Sequence, residues 1–225
     1  MASKRTKSAF QPRLDILPPA QRRLWDELGE TPPGFVLYGG TAIALRLAHR
    51  HSEDFDFFSN QNFEPRELLN GVRYLKASTV RQESANTLTC RIDRSGRVLV
   101  SFFGGLSLNR VADPDLASGT RLPVASLLDL AATKLVVVVQ RASLKDYLDL
   151  DAILQTGIDL PTALAAARAV HGEQFNPLLS LKALTFFEEG DVKRLEPERR
   201  HRLSAAARAV NIHKLPDLGC REGLA

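Results

Sequence analysis

The chain has 225 residues, of which 44% are hydrophobic and 25% charged, so a packed core is expected and long-range disorder is excluded. Its 30 Lys and Arg against 26 Asp and Glu give a formal charge of +4, a balance that suits phosphate or nucleic-acid partners and equally suits a solvated basic surface. The two cysteines, Cys90 and Cys220, lack metal-site spacing, and the longest apolar run, Leu135 to Val139, is far too short to span a bilayer. The expectation is a cytoplasmic protein with reduced thiols and no membrane association.

Residues 1–13 are polar and basic, with Lys4-Arg5-Lys7, and read as a flexible tail. Pro19 then opens a short helix that Thr31-Pro32-Pro33-Gly34 ends. Phe35 to Tyr38 has the length and apolarity of a buried strand. Gly39-Gly40 makes a sharp turn, and Thr41 is placed to cap a helix over Ala42 to Arg50. Asp54 to Phe58 alternates acid and phenylalanine as a strand does. A helix over Phe63 to Leu69 and strands near Val72 to Ala77, Thr87 to Ile92 and Val98 to Phe103 follow, the last two joined by the Asp93-Arg94-Ser95-Gly96 turn. From Pro123 on, the pattern is helical: Val124 to Arg141, Leu144 to Gln155, Pro161 to His171, Pro177 to Glu189 and Pro197 to Ala207. The predicted fold is α/β (α+β), a small mixed sheet with a helical C-terminal half. Its domains are a 14–122 α/β domain and a 123–225 helical domain that completes a cleft.

Two motifs carry the chemistry. Glycines at a strand-to-helix turn let backbone amides approach a phosphate, although a Gly-Gly pair alone is often only a tight turn. Asp54 and Asp56 are two apart on an extended strand, so both point to one side. Two carboxylates ~5 Å apart repel by about 3 kcal/mol at an effective dielectric near 20, which a hard divalent cation such as magnesium offsets. In the second motif Lys134 and Arg141 share one helix face, and Asp146 and Asp149 share a face of the next. That spacing fits a cation pair for a triphosphate with a carboxylate that takes a proton, or a salt-bridge network between helices.

The segment Phe35 to Ser59, with Gly39-Gly40-Thr41 and Asp54-Phe55-Asp56, resembles the AbiEii/AbiGii-type toxins, a branch of the polymerase-beta-like nucleotidyltransferases. Lys134, Arg141, Lys145, Asp146 and Asp149 match that family's pattern Lys…Arg-x-x-x-Lys-Asp-x-x-Asp. The resemblance implies a nucleotidyltransferase-type βα turn and a cytoplasmic enzyme that moves a nucleotide from a nucleoside triphosphate to an acceptor, transfer RNA or another RNA. It implies Mg2+ on Asp54 and Asp56, phosphate contacts from Gly39, Gly40, Thr41, Lys134, Arg141 and Lys145, and an acceptor-activating role for Asp149 or Asp146. A cognate antitoxin is an implied partner. One departure stands out: many of the superfamily carry a third carboxylate on a later strand, and here Ser101 occupies the position. That substitution keeps open a weakly catalytic nucleotide- or RNA-binding module, and the Lys134–Asp149 arrangement also allows a kinase-like phosphotransferase.

Overall fold

The computed structural model describes residues 8–225, which divide into two compact units. The first takes in the chain up to Leu108, then Asp113–Ser126 and finally Gly223–Ala225; the second is Asn109–Ala112 with Leu127–Glu222.

The first unit is built on one mixed eight-stranded sheet. Its strands are β1 (Ala9–Phe10), β2 (Val36–Tyr38), β3 (Asp54–Phe58), β4 (Thr79–Ser84), β5 (Thr87–Asp93), β6 (Arg97–Phe103), β7 (Asp115–Ala117) and β8 (Pro123–Val124). They lie in the order β1-β7-β8-β2-β3-β6-β5-β4. Three helices accompany them: α1 (Pro19–Leu24), α2 (Gly39–Leu47) and α3 (Pro65–Gly71). The sheet has one fully buried face. Phe55, Phe57, Leu88, Cys90, Val98, Val100 and Phe102 are wholly inside, and the Trp25 ring lies 6.3 Å from that of Phe55. Burying each such large side chain is worth roughly 1.5–3 kcal/mol, so a one-residue slip of β3 would be prohibitive, because it would turn Phe55 and Phe57 outward and the acids inward. The pairing Asp56↔Ser101 and Phe57↔Phe102 is thereby fixed.

Arg46 of α2 fastens the short strands on the other side. Its guanidinium donates to the carbonyls of Ala125 and Val124, each at 3.0 Å, pairs with Asp115 at 2.9 Å and lies 4.2 Å over the Phe10 ring. At the far end of β3, the Asn60 amide donates to the carbonyls of Leu106 and Leu108, while its oxygen accepts the backbone N–H of Leu224. That buckle holds the last three residues in the first unit.

The second unit is all-helical: α4 (Leu127–Gln140), α5 (Leu144–Leu154), α6 (Leu160–His171), α7 (Pro177–Ala183) and α8 (Pro197–Ala209). Local chemistry sets the starts. The Asp159 side chain accepts from Thr162 N–H at 2.8 Å at the head of α6, and Asn176 accepts from Leu178 N–H at 3.0 Å at the head of α7. Asp129, buried in the first turn of α4, accepts from the backbone N–H groups of Val111 and Ala112 and so binds that loop to the helix. No described helix is long and apolar enough to cross a membrane.

The structure corrects several expectations. Lys4, Arg5 and Lys7 of the proposed tail lie outside the described residues, but 8–13 are ordered: Ala9–Phe10 pairs with β7 and the Arg13 N–H donates to Leu45 O. There is no strand at Val72 to Ala77. Tyr74 and Leu75 are both buried, which an alternating strand does not allow, and the stretch is a 3-10 turn over Arg73–Leu75; the strand comes later, at β4. The helix from Pro177 stops at Ala183, where the Thr185 hydroxyl donates back to Lys182 O in competition with the helical ladder. Strands β1, β7 and β8 were not expected.

A second buried charge fixes α8. Asp151 on α5 is 1% exposed and accepts from Arg199 Nη1 at 2.7 Å and from Arg202 Nε and Nη2 at 3.0 and 2.8 Å. Asp151→Ala is expected to lower the unfolding free energy by about 2 kcal/mol, because the carboxylate's charged hydrogen bonds are lost together. A urea titration checks this, with Arg199→Ala alone costing less.

Candidate active site

The turn between β2 and α2 is where the first motif acquires its shape. Tyr38 pairs with Asp56 across the β2–β3 ladder, so the end of β2 is level with the acids. Gly39 has φ +73, a conformation that costs an ordinary side chain about 1–2 kcal/mol. A Cβ on Gly39 would also sit 2.6 Å from Asp56 Oδ2. At Gly40 the obstacle is of opposite charge: a Cβ there would be 2.5 Å from Arg50 Nη2 and 2.9 Å from Ser52 Oγ. The two glycines therefore leave bare backbone between a carboxylate and a guanidinium.

Thr41 departs from its expected role. It is fully buried, α2 has no side-chain cap, and the Thr41 hydroxyl donates to the main-chain oxygen of Asp54. That bond ties the head of α2 to the start of β3. What Thr41 can offer a phosphate is its backbone N–H, one of the first-turn donors with no acceptor inside the helix.

Asp54 is exposed and Asp56 half-buried, on the sheet face opposite Phe55 and Phe57. On the neighbouring strand Ser101 stands directly beside Asp56, and beyond it Thr89 donates its hydroxyl to Ser101 Oγ at 3.2 Å. The position expected for a third acid is thus a hydroxyl pair. Among the described residues no group of three or more His, Cys, Asp or Glu is arranged to hold a metal. Two hard carboxylate donors on one strand face, with Asp56 reaching over a residue that has no side chain, still suit a hard cation that completes its shell from phosphate and water. The aromatic pairs divide between the faces: Phe57 and Phe102 stack in the core at 5.1 Å, whereas half-buried Phe58 stacks on Tyr38 at 5.0 Å.

The second motif, in the helical unit, is a closed ionic cluster. Lys134 Nζ lies 2.7 Å from Asp146 Oδ1 and 2.6 Å from Asp149 Oδ2, and Arg141 Nε lies 2.8 Å from Asp146 Oδ2. Both acids are wholly buried and Lys134 is 7% exposed. Two cations and two anions cancel, which is what makes such burial tolerable. Burial alone pushes the Asp146 carboxyl up; the hydrogen bonds and charges of Arg141 and Lys134 outweigh it and hold the group below its ordinary value. Lys145 is exposed on the first turn of α5, outside this cluster.

Four side chains of consequence escaped sequence reasoning: Arg50, Ser52, Asp129 and Asp151. Arg50 reaches Gly40 because Ala48 ends α2 in the left-handed region, at φ 51, and sends the chain back along the helix. Alanine gives no hint of such a turn. The C-terminal run Arg199-Arg200-His201-Arg202 is a block of basic residues in the sequence. In the structure Arg199 and Arg202 are bound to Asp151, and Arg200 donates to the carbonyls of Leu195 and Lys193.

A model of the family described as nucleotidyl transferase AbiEii toxin, type IV TA system, matches residues 23–212. An uncharacterized protein of Aquifex aeolicus is 28% identical over 158 residues, covering 69% of this chain and 74% of its own. MenT4, a nucleotidyltransferase toxin from Mycobacterium tuberculosis, superposes with a TM-score of 0.56 at 17% identity, over 89% of this chain and 84% of that one. An H. pylori protein assigned as a nucleotidyltransferase gives 0.55 at 15% identity, over 87% and 94%. At these identities the two structures speak to the fold.

Two measurements probe the geometry. Gly39→Ala is expected to lower stability by about 1–2 kcal/mol through its backbone conformation, measured by urea titration, and to displace Asp56, read in a crystal structure of the variant. Asp146 has a folded pKa below its unfolded one, so its stabilisation is complete above about pH 4 and is lost as pH falls through the folded value. Asp146→Asn removes that contribution, and its stability measured by urea at each pH should fall less steeply as the pH drops below about 4.

Proposed function

The chain belongs to the AbiEii family of nucleotidyltransferase toxins, and we propose that it transfers a nucleotide from a nucleoside triphosphate to an RNA acceptor, transfer RNA in particular, with magnesium held by Asp54 and Asp56. The observation that carries this reading is the pair of carboxylates on one strand face beside the bare Gly39-Gly40 backbone. Backbone N–H groups of Gly39, Gly40 and Thr41 cradle phosphate oxygens, and glycine permits their approach. Magnesium, when bound, neutralises charge on the phosphates and on the oxygen that leaves.

The acceptor hydroxyl oxygen forms a bond to the α-phosphorus as the bond to the pyrophosphate oxygen breaks, and the hydroxyl proton passes to solvent water. Within the helical unit, Lys134 and Arg141 are held by the carboxylates of Asp146 and Asp149. Asp149 has no exposed surface and its carboxylate is given over to Lys134. We therefore assign Asp149 and Asp146 to holding Lys134 in place rather than to taking the acceptor's proton. The net charge of +4 supports a polyanionic acceptor. Membership of a toxin family supports a cognate antitoxin as partner and the cytoplasm as the site of action.

The test is labelling of total RNA by the pure protein with magnesium and nucleoside triphosphates labelled at the α or the γ position. Label from the α position alone is the expected result, and Asp56→Ala should reduce it by at least about a hundredfold while the variant stays folded. Label from the γ position would convert the reading to a phosphotransferase. Nucleotide binding with no label in either case would make the protein a binding module, the outcome that Ser101 beside Asp56 favours.

A further inference from the structure

The sheet face opposite the buried one is a lattice whose rows are set by the strand register. One row runs from Asp56 on β3 to Ser101 on β6 and Thr89 on β5. The row on one side of it runs Asp54, Leu99, Arg91, and the row on the other side pairs Phe58 with Phe103. Neighbouring strands lie about 4.8 Å apart, so Arg91 is rooted about 10 Å from Asp54. Away from the acids this face is polar and wet. Thr89, Arg91 and Phe103 are each half-buried, and Leu99 is 36% exposed. The cross-strand neighbours of Arg91 are Leu99 and Thr79, both uncharged. One row further out Asp93 faces Arg97 across the β5–β6 pair, and those two charges cancel. Arg91 therefore sets the sign of the strip beside the acids.

Reaction geometry says what the strip is for. In an in-line displacement the attacking and leaving oxygens stand on opposite sides of the phosphorus. The Gly39-Gly40 turn follows β2, on one side of β3, and β6 lies on the other side. With the phosphates of the nucleotide at the turn, the acceptor approaches over β6 and β5. A polyanion on that path meets the hydroxyls of Ser101 and Thr89, joined at 3.2 Å, where a third carboxylate would repel it. It then meets a guanidinium, whose donors match phosphate oxygens. Hydroxyls can also pair with a ribose 2′-OH, and aromatic rings take bases that are unpaired. A duplex keeps its bases stacked out of their reach, so the chemistry of this face selects single-stranded RNA. From Leu99 to Phe103 the face runs about 13 Å along the strand, and sheet faces with aromatic residues stack two or three bases in this manner.

We propose that the face of β6 and β5 beside the acids seats the single-stranded RNA segment that carries the acceptor hydroxyl, with Arg91 holding a phosphate and Phe103 taking a base. The proposal rests on the reading of the glycine turn and the two acids as the nucleotide and metal site. It gives Ser101 a positive role, since a neutral hydroxyl keeps the acceptor's path free of like charge.

Fluorescence anisotropy over a range of salt concentrations tests it. The probes are a short single-stranded oligoribonucleotide and the same strand annealed to its complement. The proteins are the full-length wild type, Arg91→Gln, Arg91→Lys and Phe103→Leu, with thermal midpoints recorded for each. Wild type is expected to bind the single strand more tightly than the duplex. Arg91→Gln should weaken single-strand binding about tenfold and lower the slope of log affinity against log salt by about 0.7, and Arg91→Lys should restore the slope. Phe103→Leu should cost about fivefold with the slope unchanged. In the labelling reaction Arg91→Gln and Phe103→Leu should raise the KM for RNA and leave that for the nucleoside triphosphate as it is. Wild-type affinity and slope in Arg91→Gln would overturn the proposal, and if the wild type still labels RNA the function stands without it. Duplex binding as tight as single-strand binding would also overturn it, as would an equal rise in both KM values, which marks a role in the fold alone. Binding with these variant effects but no label on RNA would overturn nucleotide transfer and support the RNA surface. Should Phe103→Leu fail to fold, the affinity and salt slope of the Arg91 variants decide the outcome.

Discussion

Two residues of bare backbone organise the first unit. In the Gly39-Gly40 turn the Asp56 carboxylate stands where a side chain at Gly39 would begin, and the Arg50 guanidinium where one at Gly40 would. Everything near it follows from letting those groups in. Strand β2 must end at Tyr38, α2 must begin at once, and Thr41 must turn its hydroxyl to the Asp54 carbonyl to hold strand and helix together. The buried row of Phe55, Phe57 and Phe102 locks the register that presents the acids. An electrostatic arrangement worth a few kcal/mol is thus aimed by a hydrophobic one worth several times more.

The helical unit handles charge in the opposite way. There the carboxylates of Asp146, Asp149 and Asp151 are buried and each is matched by cations at hydrogen-bonding distance. Asp146 and Asp149 steady a lysine; Asp151 steadies a helix. The difference lies in the partners. Lys134 is compact and nearly enclosed, whereas Arg199 and Arg202 keep part of their guanidinium surface in solvent, so the second cluster carries less desolvation cost.

Much of this was legible from residues alone. Periodicity gave β3 to the residue and the five C-terminal helices to within a few positions, apart from the early end of α7. The glycine turn, the diacid and the Lys134 motif carried enough chemistry to name a family. What escaped was of two kinds. Strands of two or three residues, such as β1, β7 and β8, hold no period to detect; Arg46 draws them together through the Phe10 ring, the Asp115 carboxylate and the carbonyls of Val124 and Ala125. Long-range charge partners such as Arg50 at Gly40, or Asp151 with Arg199 and Arg202, depend on how the chain returns, and in the sequence they are only charged residues on surfaces.

Asn60 leaves one more consequence. By accepting the Leu224 N–H, it makes the final three residues part of a unit whose other strands were complete about a hundred positions earlier. A chain emerging from the ribosome therefore assembles the helical unit, through Glu222, before the sheet unit can receive its last piece. That order leaves the sheet unit without its Asn60 bond until Leu224 has been made.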